Sequence, residues 1–273
     1  DIVTEITADE VSEENFDEVF DGTGMVAMPG MTDAHVHLGC LFAKGEFPVD
    51  YATVLTVAKC KDALMAGFTT FRDAGSVSEG LKLAFDEGVL PGPRIYPCGA
   101  YISQTCGHGD SEYAHTYRDI QYRHPSSTVL ADGVPEIIRA VREQFYRGAS
   151  HIKLMATEIL NRHEDIRLLF GTDMMITGPD YQVEQSEDIR YYEKRFGTMR
   201  ALRALTGTAN EVFALTTYQN PYPKGKIGVL EAGSYADLLL VDGDPTKSVS
   251  VLADIDHLRL IMKGGTVYKN TLC

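Results

Sequence analysis

From residue 31 to about residue 157, short apolar strands alternate with segments of helical period, and this rhythm restricts the chain to βαβ units and a parallel sheet. Phe68 to Phe71 and Arg94 to Cys98 read as strands. Val134, Ile137, Ile138, Val141 and Phe145 recur at i, i+3, i+4, i+7 and i+11, one apolar face of a helix. Asp132 stands at its N-cap position and Gly148 lies past its end. His151 to Thr157 then reads as a buried strand. Residues 101–131 differ: they are polar and nearly aperiodic, a long connection of the kind that is functional or disordered. A last apolar piece, Ile166 to Phe170, precedes Gly171-Thr172-Asp173 and a helical stretch reaching about Leu215. Both chain ends carry β patterns instead: Gly24 to Met28, closed by Pro29-Gly30, and later Ala236 to Val241, Leu258 to Met262 and Gly265 to Tyr268.

Composition narrows the class of function. Hydrophobic residues make up 44% and charged residues 23%, which suits a packed globular chain. At 273 residues the chain can fill one large domain, or one large and one small. The net charge of −14 repels nucleic acid and anionic membrane, so neither is expected as a partner. No apolar run is long enough for a membrane span. The five cysteines (Cys40, Cys60, Cys98, Cys106, Cys273) form no CxxC pair and are expected as free, mostly buried thiols. Asp1 to Glu5 is neither basic nor followed by an apolar core, so a cytoplasmic location is expected, with a removed leader left open.

Five positions stand out chemically. In Asp33-Ala34-His35-Val36-His37, two histidines one residue apart on a strand project to the same side. Two imidazoles at a strand end make half of a site for zinc or a similar ion, the alternative being a chance pair on a surface strand. Asp173 follows an apolar strand, where a barrel enzyme places catalytic groups, and it could ligate metal and take a proton from water. A turn or N-cap aspartate is the plainer reading. Lys153 faces away from Ile152 and Leu154; inside a barrel a lysine is costly unless paired or chemically altered. A carbamate on it could bridge two metals, whereas a strand-edge lysine would merely snorkel to water. His108, between Gly107 and Gly109 in the long connection, could approach a substrate carbonyl or simply be solvated. No phosphate loop and no Gly-x-Ser-x-Gly elbow is present.

These pieces, in order, resemble the amidohydrolase superfamily: "PGMTDAHVHLG", "GFTTFRDAG", "SQTCGHGD", "HIKLMAT", "FGTD", "ALRALTGTANEVFAL", "GKIGVLEAGSYADLLLVDGDP" and "IMKGGTVYKN". Within it the chain looks most like the branch of imidazolonepropionase-like enzymes and Xaa-Pro dipeptidases. The resemblance implies an α/β fold, a (β/α)8 barrel over residues 31–216 with a small β-sandwich from residues 1–30 and 217–273. It implies His35 and His37 as metal ligands from the first strand, Lys153 as a carbamylated bridge from the fourth, and Asp173, after the eighth, as ligand and general base. His108 would contact the substrate near the scissile carbonyl. One or two zinc ions, or another divalent metal, would activate water for attack on an amide carbonyl, with Asp173 carrying the proton to the leaving amine. The substrate expected is a dipeptide or N-acyl amino acid, a cyclic amide being the alternative; a homo-oligomer is possible.

One departure is large. The family carries two further histidine ligands after the fifth and sixth strands, but here Glu158-Ile159-Leu160 runs almost directly into Asn161-Arg162-His163, the approach to the eighth strand. Strands five to seven are missing. Either the protein has residues that this sequence omits near 160, which is the expectation because the flanking motifs show no compensating change, or a true deletion leaves an open half-barrel with exposed sheet edges. In the second case a catalytically inactive scaffold becomes the better reading.

Overall fold

The structure, a computed structural model, describes residues 1–9, 11–38, 49–76, 78–107, 109–110, 128–155, 167–175 and 181–272. Its centre is β2 (Met31–His37), which pairs in parallel with β3 (Phe68–Asp73); β3 pairs in parallel with β4 (Arg94–Tyr96). The short β7 (Met174–Met175) adds to the other side of β2, also in parallel, giving the order β4-β3-β2-β7. Met31 to Ala34 are buried without alternation, because a parallel sheet is covered on both faces. Helix α1 (Val49–Met65) makes the crossover from β2 to β3, and α2 (Glu79–Asp86) the one from β3 to β4. Gly67 closes the first crossover with φ of 88°, a left-handed conformation that glycine adopts without strain.

Phe68, Phe71, Phe170, Leu64 and Ile95 are fully buried in one cluster with residues of the C-terminal sheet such as Leu239 and Leu258. Burial of each such side chain contributes about 1.5–3 kcal/mol, which is what holds the helices to the sheet.

Both ends of the chain meet in a second, antiparallel sheet of order β1-β8-β9-β10, made of β1 (Val26–Pro29), β8 (Leu238–Val241), β9 (Leu258–Lys263) and β10 (Thr266–Asn270). Pro29-Gly30 carries the chain from β1 straight into β2, so the sheets share one covalent joint. A buried ion pair fastens them at a second point. Arg94 of β4 donates from Nε and Nη2 to the two carboxylate oxygens of Asp237, each at 3.1 Å, and the same guanidinium lies 3.9 Å over the Tyr235 ring.

Three helices follow β7: α4 (Tyr181–Phe196), α5 (Thr198–Leu205) and α6 (Gly207–Phe213). At the C-terminal end of α4, Glu193 accepts from the backbone N–H of Val249 and Ser250 and from the hydroxyls of Thr198, Ser248 and Ser250. This carboxylate therefore caps the 3-10 turn at Val249–Ala253 and ties α4 to the C-terminal segment.

Several expectations are met and several are not. The strand read at 68–71 is found and runs on to Asp73, the one read at 94–98 is found over Arg94–Tyr96, and α3 (Gly133–Tyr146) starts after Asp132 as read. The Asp132 side chain, however, accepts from the Thr105 N–H rather than capping the helix. Helix α3 buries Ala140 and Gln144 and leaves Val134, Ile137 and Ile138 exposed, so the apolar stripe is only partly covered. The nearly aperiodic connection is not structureless throughout: β5 (Tyr101–Ser103) and β6 (Thr128–Leu130) pair in parallel. Of the expected strand at 151–157, the described residues 151–155 show a single bridge, Ile102 to Leu154, and the strand read at 166–170 is irregular among its described residues, regular pairing starting at Met174. Cys60 and Cys98 are buried free thiols and Cys106 is an exposed one; Cys40 and Cys273 lie outside the described residues. Among the described residues no helix is long and apolar enough to cross a membrane.

Candidate metal centre

The parallel sheet brings three sequence-predicted residues to one point. His35 and His37, at the C-terminal end of β2, project to the same side with ring centroids 5.5 Å apart. Asp173 arrives from the segment that precedes β7. Its N–H donates to the His35 carbonyl oxygen at 2.7 Å, and its Oδ1 lies 2.9 Å from His35 Nε2 and 3.2 Å from His37 Nε2. The three donor atoms all lie within 4.8 Å of one another. His37 is nearly buried, whereas the Asp173 side chain is 70% exposed.

Lys153 completes the group from the segment after α3, its Nζ 2.8 Å from His35 Nε2. Burial, then the charge of Lys153, push the His35 imidazole down to about 4, so its ring is neutral near pH 7 and its lone pair is available.

A protonation conflict sits at this nitrogen. An ammonium can only donate and a carboxylate can only accept, yet both approach His35 Nε2. With any one tautomer, one of the two contacts is unmatched. A cation held jointly by His35, His37 and Asp173 removes the conflict on the carboxylate side, and converting the amine to a carbamate removes it on the other. Spacing agrees: tetrahedral ligands at zinc distances stand about 3.4 Å apart, close to the 2.9 and 3.2 Å found. The donor set of two imidazoles and a carboxylate therefore fits a divalent metal.

A profile described as Amidohydrolase family matches residues 26–165, half of the chain. The chain belongs to the amidohydrolase family. Ochratoxinase from Aspergillus niger is 34% identical over 152 residues, covering 48% of this chain and 31% of the relative, so the chain matches under a third of that protein's length. A prolidase crystallised with N-methylphosphonate-L-proline superposes with a TM-score of 0.83 at 22% identity, covering 98% of this chain and 93% of that one. A Xaa-Pro dipeptidase with bound methionine gives 0.60 at 20% identity, with coverage of 98% and 93%. At these identities the superpositions speak for the α/β fold of amidohydrolases, whose structures are of the TIM-barrel type.

Amidohydrolases are as a rule metal-dependent, which accords with the donor set above. His35, His37, Lys153 and Asp173 are brought together; His108 lies outside the described residues, as does the junction at 156–166. Two neighbours of the site escaped the sequence reading. Asp33 is completely buried directly behind the histidines, and Gly171 packs against His35. Asp33 was visible as an acid inside an apolar strand, a position tolerated only with hydrogen-bond partners. Gly171 gave no signal beyond being a glycine before Thr172-Asp173.

Proposed function

We propose that this chain carries part of the metal centre of a hydrolase that cleaves an amide C–N bond. The observation that carries the reading is the convergence of His35, His37 and Asp173 within 4.8 Å, with Lys153 touching His35. The barrel spans residues 31–216, lacking strands five to seven and the histidines they would carry, and a small β-sandwich is formed from residues 1–30 and 217–273. Zinc is the preferred ion, with one or two per chain.

His35 and His37 would hold the cation through Nε2. Lys153, as a carbamate, would add an anionic oxygen where its ammonium now opposes a positive charge. A bound divalent ion supplies Lewis acidity and lowers the pKa of water toward about 7. Asp173 Oδ1 is placed beside both imidazoles, with most of its side chain open to solvent. It takes the proton from the attacking water and returns it to the leaving amine nitrogen, acting first as base and then as acid. His108 polarises the scissile carbonyl. A dipeptide is the favoured substrate, because the structural relatives include a prolidase and a Xaa-Pro dipeptidase. An N-acyl amino acid or a cyclic amide would undergo the same chemistry.

The test is hydrolysis of a panel of Xaa-Pro dipeptides and N-acyl amino acids by the zinc-loaded protein and its Asp173→Asn variant. Asparagine tolerates the left-handed conformation of position 173 and preserves the shape of the side chain, so the variant should fold normally. Loss of turnover by about a hundredfold or more is the expected result. Undiminished turnover would remove Asp173 from its role. A wild-type protein that folds, binds zinc and hydrolyses none of these amides would favour the inactive scaffold.

A further inference from the structure

Asp33 touches the backbone of both segments that carry the metal donors. Its Oδ1 accepts from the His35 N–H at 3.1 Å and from the Thr172 N–H at 3.3 Å, and its Oδ2 accepts from the Thr172 hydroxyl at 2.9 Å. The carboxylate is wholly buried. A buried charge of this kind is costly unless it is saturated with hydrogen bonds. The two bonds to Thr172 join residues that are 139 positions apart in sequence and adjacent in space.

The segment they grip needs holding. Asp173 has φ of 55°, a left-handed conformation that an aspartate adopts only at some cost and that persists where the surroundings over-determine it. Three bonds supply the determination: two run from Thr172 to Asp33, and one runs from the Asp173 N–H to the His35 carbonyl at 2.7 Å. The Ala34 N–H also donates to the Phe170 carbonyl at 2.8 Å, which fixes the register of the same two segments one step earlier. Asp33 thus holds the residue before Asp173 with both oxygens, and one of them, Oδ1, also accepts from the backbone of His35.

We propose that Asp33, acting through the Thr172 hydroxyl, is a positioning residue that sets the distance between Asp173 and the two histidines and so pre-forms the cation site. This rests on the metal-centre reading above. Without the Asp33–Thr172 bond, the residue at 173 is free to relax toward right-handed or extended backbone, which carries its carboxylate away from His35 and His37. Outer partners of this kind commonly govern metal affinity by about ten- to a hundredfold.

The experiment compares the wild-type chain with Thr172→Val and Thr172→Ser. Valine keeps the shape and deletes only the hydroxyl; serine restores the donor. Zinc affinity is read by competition with a chromogenic chelator, the ligand field by the visible spectrum of the cobalt(II) form, and apo-protein stability by thermal unfolding. The expected result is about a tenfold or greater loss of zinc affinity in Thr172→Val, with an altered cobalt spectrum, an apo melting temperature lowered by the unmatched Asp33 oxygen, and recovery of all three in Thr172→Ser. Equal zinc affinity and an unchanged cobalt spectrum in Thr172→Val would overturn the positioning role while leaving the metal centre standing. A matched loss of apo stability and affinity that serine does not restore would assign the residue a merely structural part. Failure of the wild type itself to bind either cation would overturn the metal centre, and the positioning role with it.

Discussion

Gly171 lies so close to His35 that a Cβ built on it would stand 2.6 Å from the His35 Cβ and 3.1 Å from its backbone nitrogen. The segment that delivers Asp173 can approach β2 only because this position has no side chain. Relief is not cheap, since the obstructing atoms are a Cβ and backbone rather than the end of a flexible side chain. Gly171→Ala is therefore expected to cost about 1–3 kcal/mol of stability. It should also push Asp173 away from the imidazoles, weakening zinc binding more than Thr172→Val does. Urea unfolding and chelator competition check the two effects, and a variant with wild-type affinity would show that the close approach has no part in the site.

The junction between the sheets rests on Arg94 and Asp237, both almost fully buried. Asp237 is further engaged by the Gly264 N–H at 2.7 Å. Removing one partner strands the other charge out of water, so Arg94→Leu and Asp237→Leu should each cost about 3–5 kcal/mol. The double variant should cost less than the sum of the two, because no lone charge is left. Urea midpoints of the four proteins decide the matter; strict additivity would mean that the two residues act independently.

Glu193 gives the stability a defined acid dependence. Burial alone would raise its pKa, but the hydroxyls of Ser250, Thr198 and Ser248 and the Val249 N–H outweigh it and hold the carboxyl at about 2. A carboxyl depressed below its usual value of 4.5 stabilises the fold fully above that value, and the contribution is lost as pH falls from 4.5 toward 2. Wild type should exceed Glu193→Gln in melting temperature near neutral pH, and the gap should shrink through that window. A gap that stays constant from pH 7 down to pH 2 would contradict the assignment.

How much of this was written in the sequence depends on the range over which each signal acts. The His35–His37 pair, the strands that became β3 and β4, and the start of α3 follow from local periodicity, and they fold as read. The coverage of α3 does not: Val134, Ile137 and Ile138 form an apolar stripe in sequence, but burial needs a neighbour, and the contact with β5 covers mainly the Ala140 and Gln144 side. β5 and β6 are too short to carry a period of two. They are stabilised by pairing across a long connection, which no local window detects. The left-handed conformation at Asp173 was equally hidden, because it depends on Asp33 and His35, well over a hundred positions earlier.

The central claim is that His35, His37, Lys153 and Asp173 hold a divalent cation. It is tested most directly by measuring metal content after equilibration with zinc and gel filtration, for the wild-type protein and for His35→Ala/His37→Ala. Removing both imidazoles takes away the two nitrogen ligands that β2 supplies. The account predicts one or two zinc ions per wild-type chain and none in the variant, with both proteins folded by circular dichroism. A folded wild-type protein without zinc, or a variant that keeps its full complement, would contradict it.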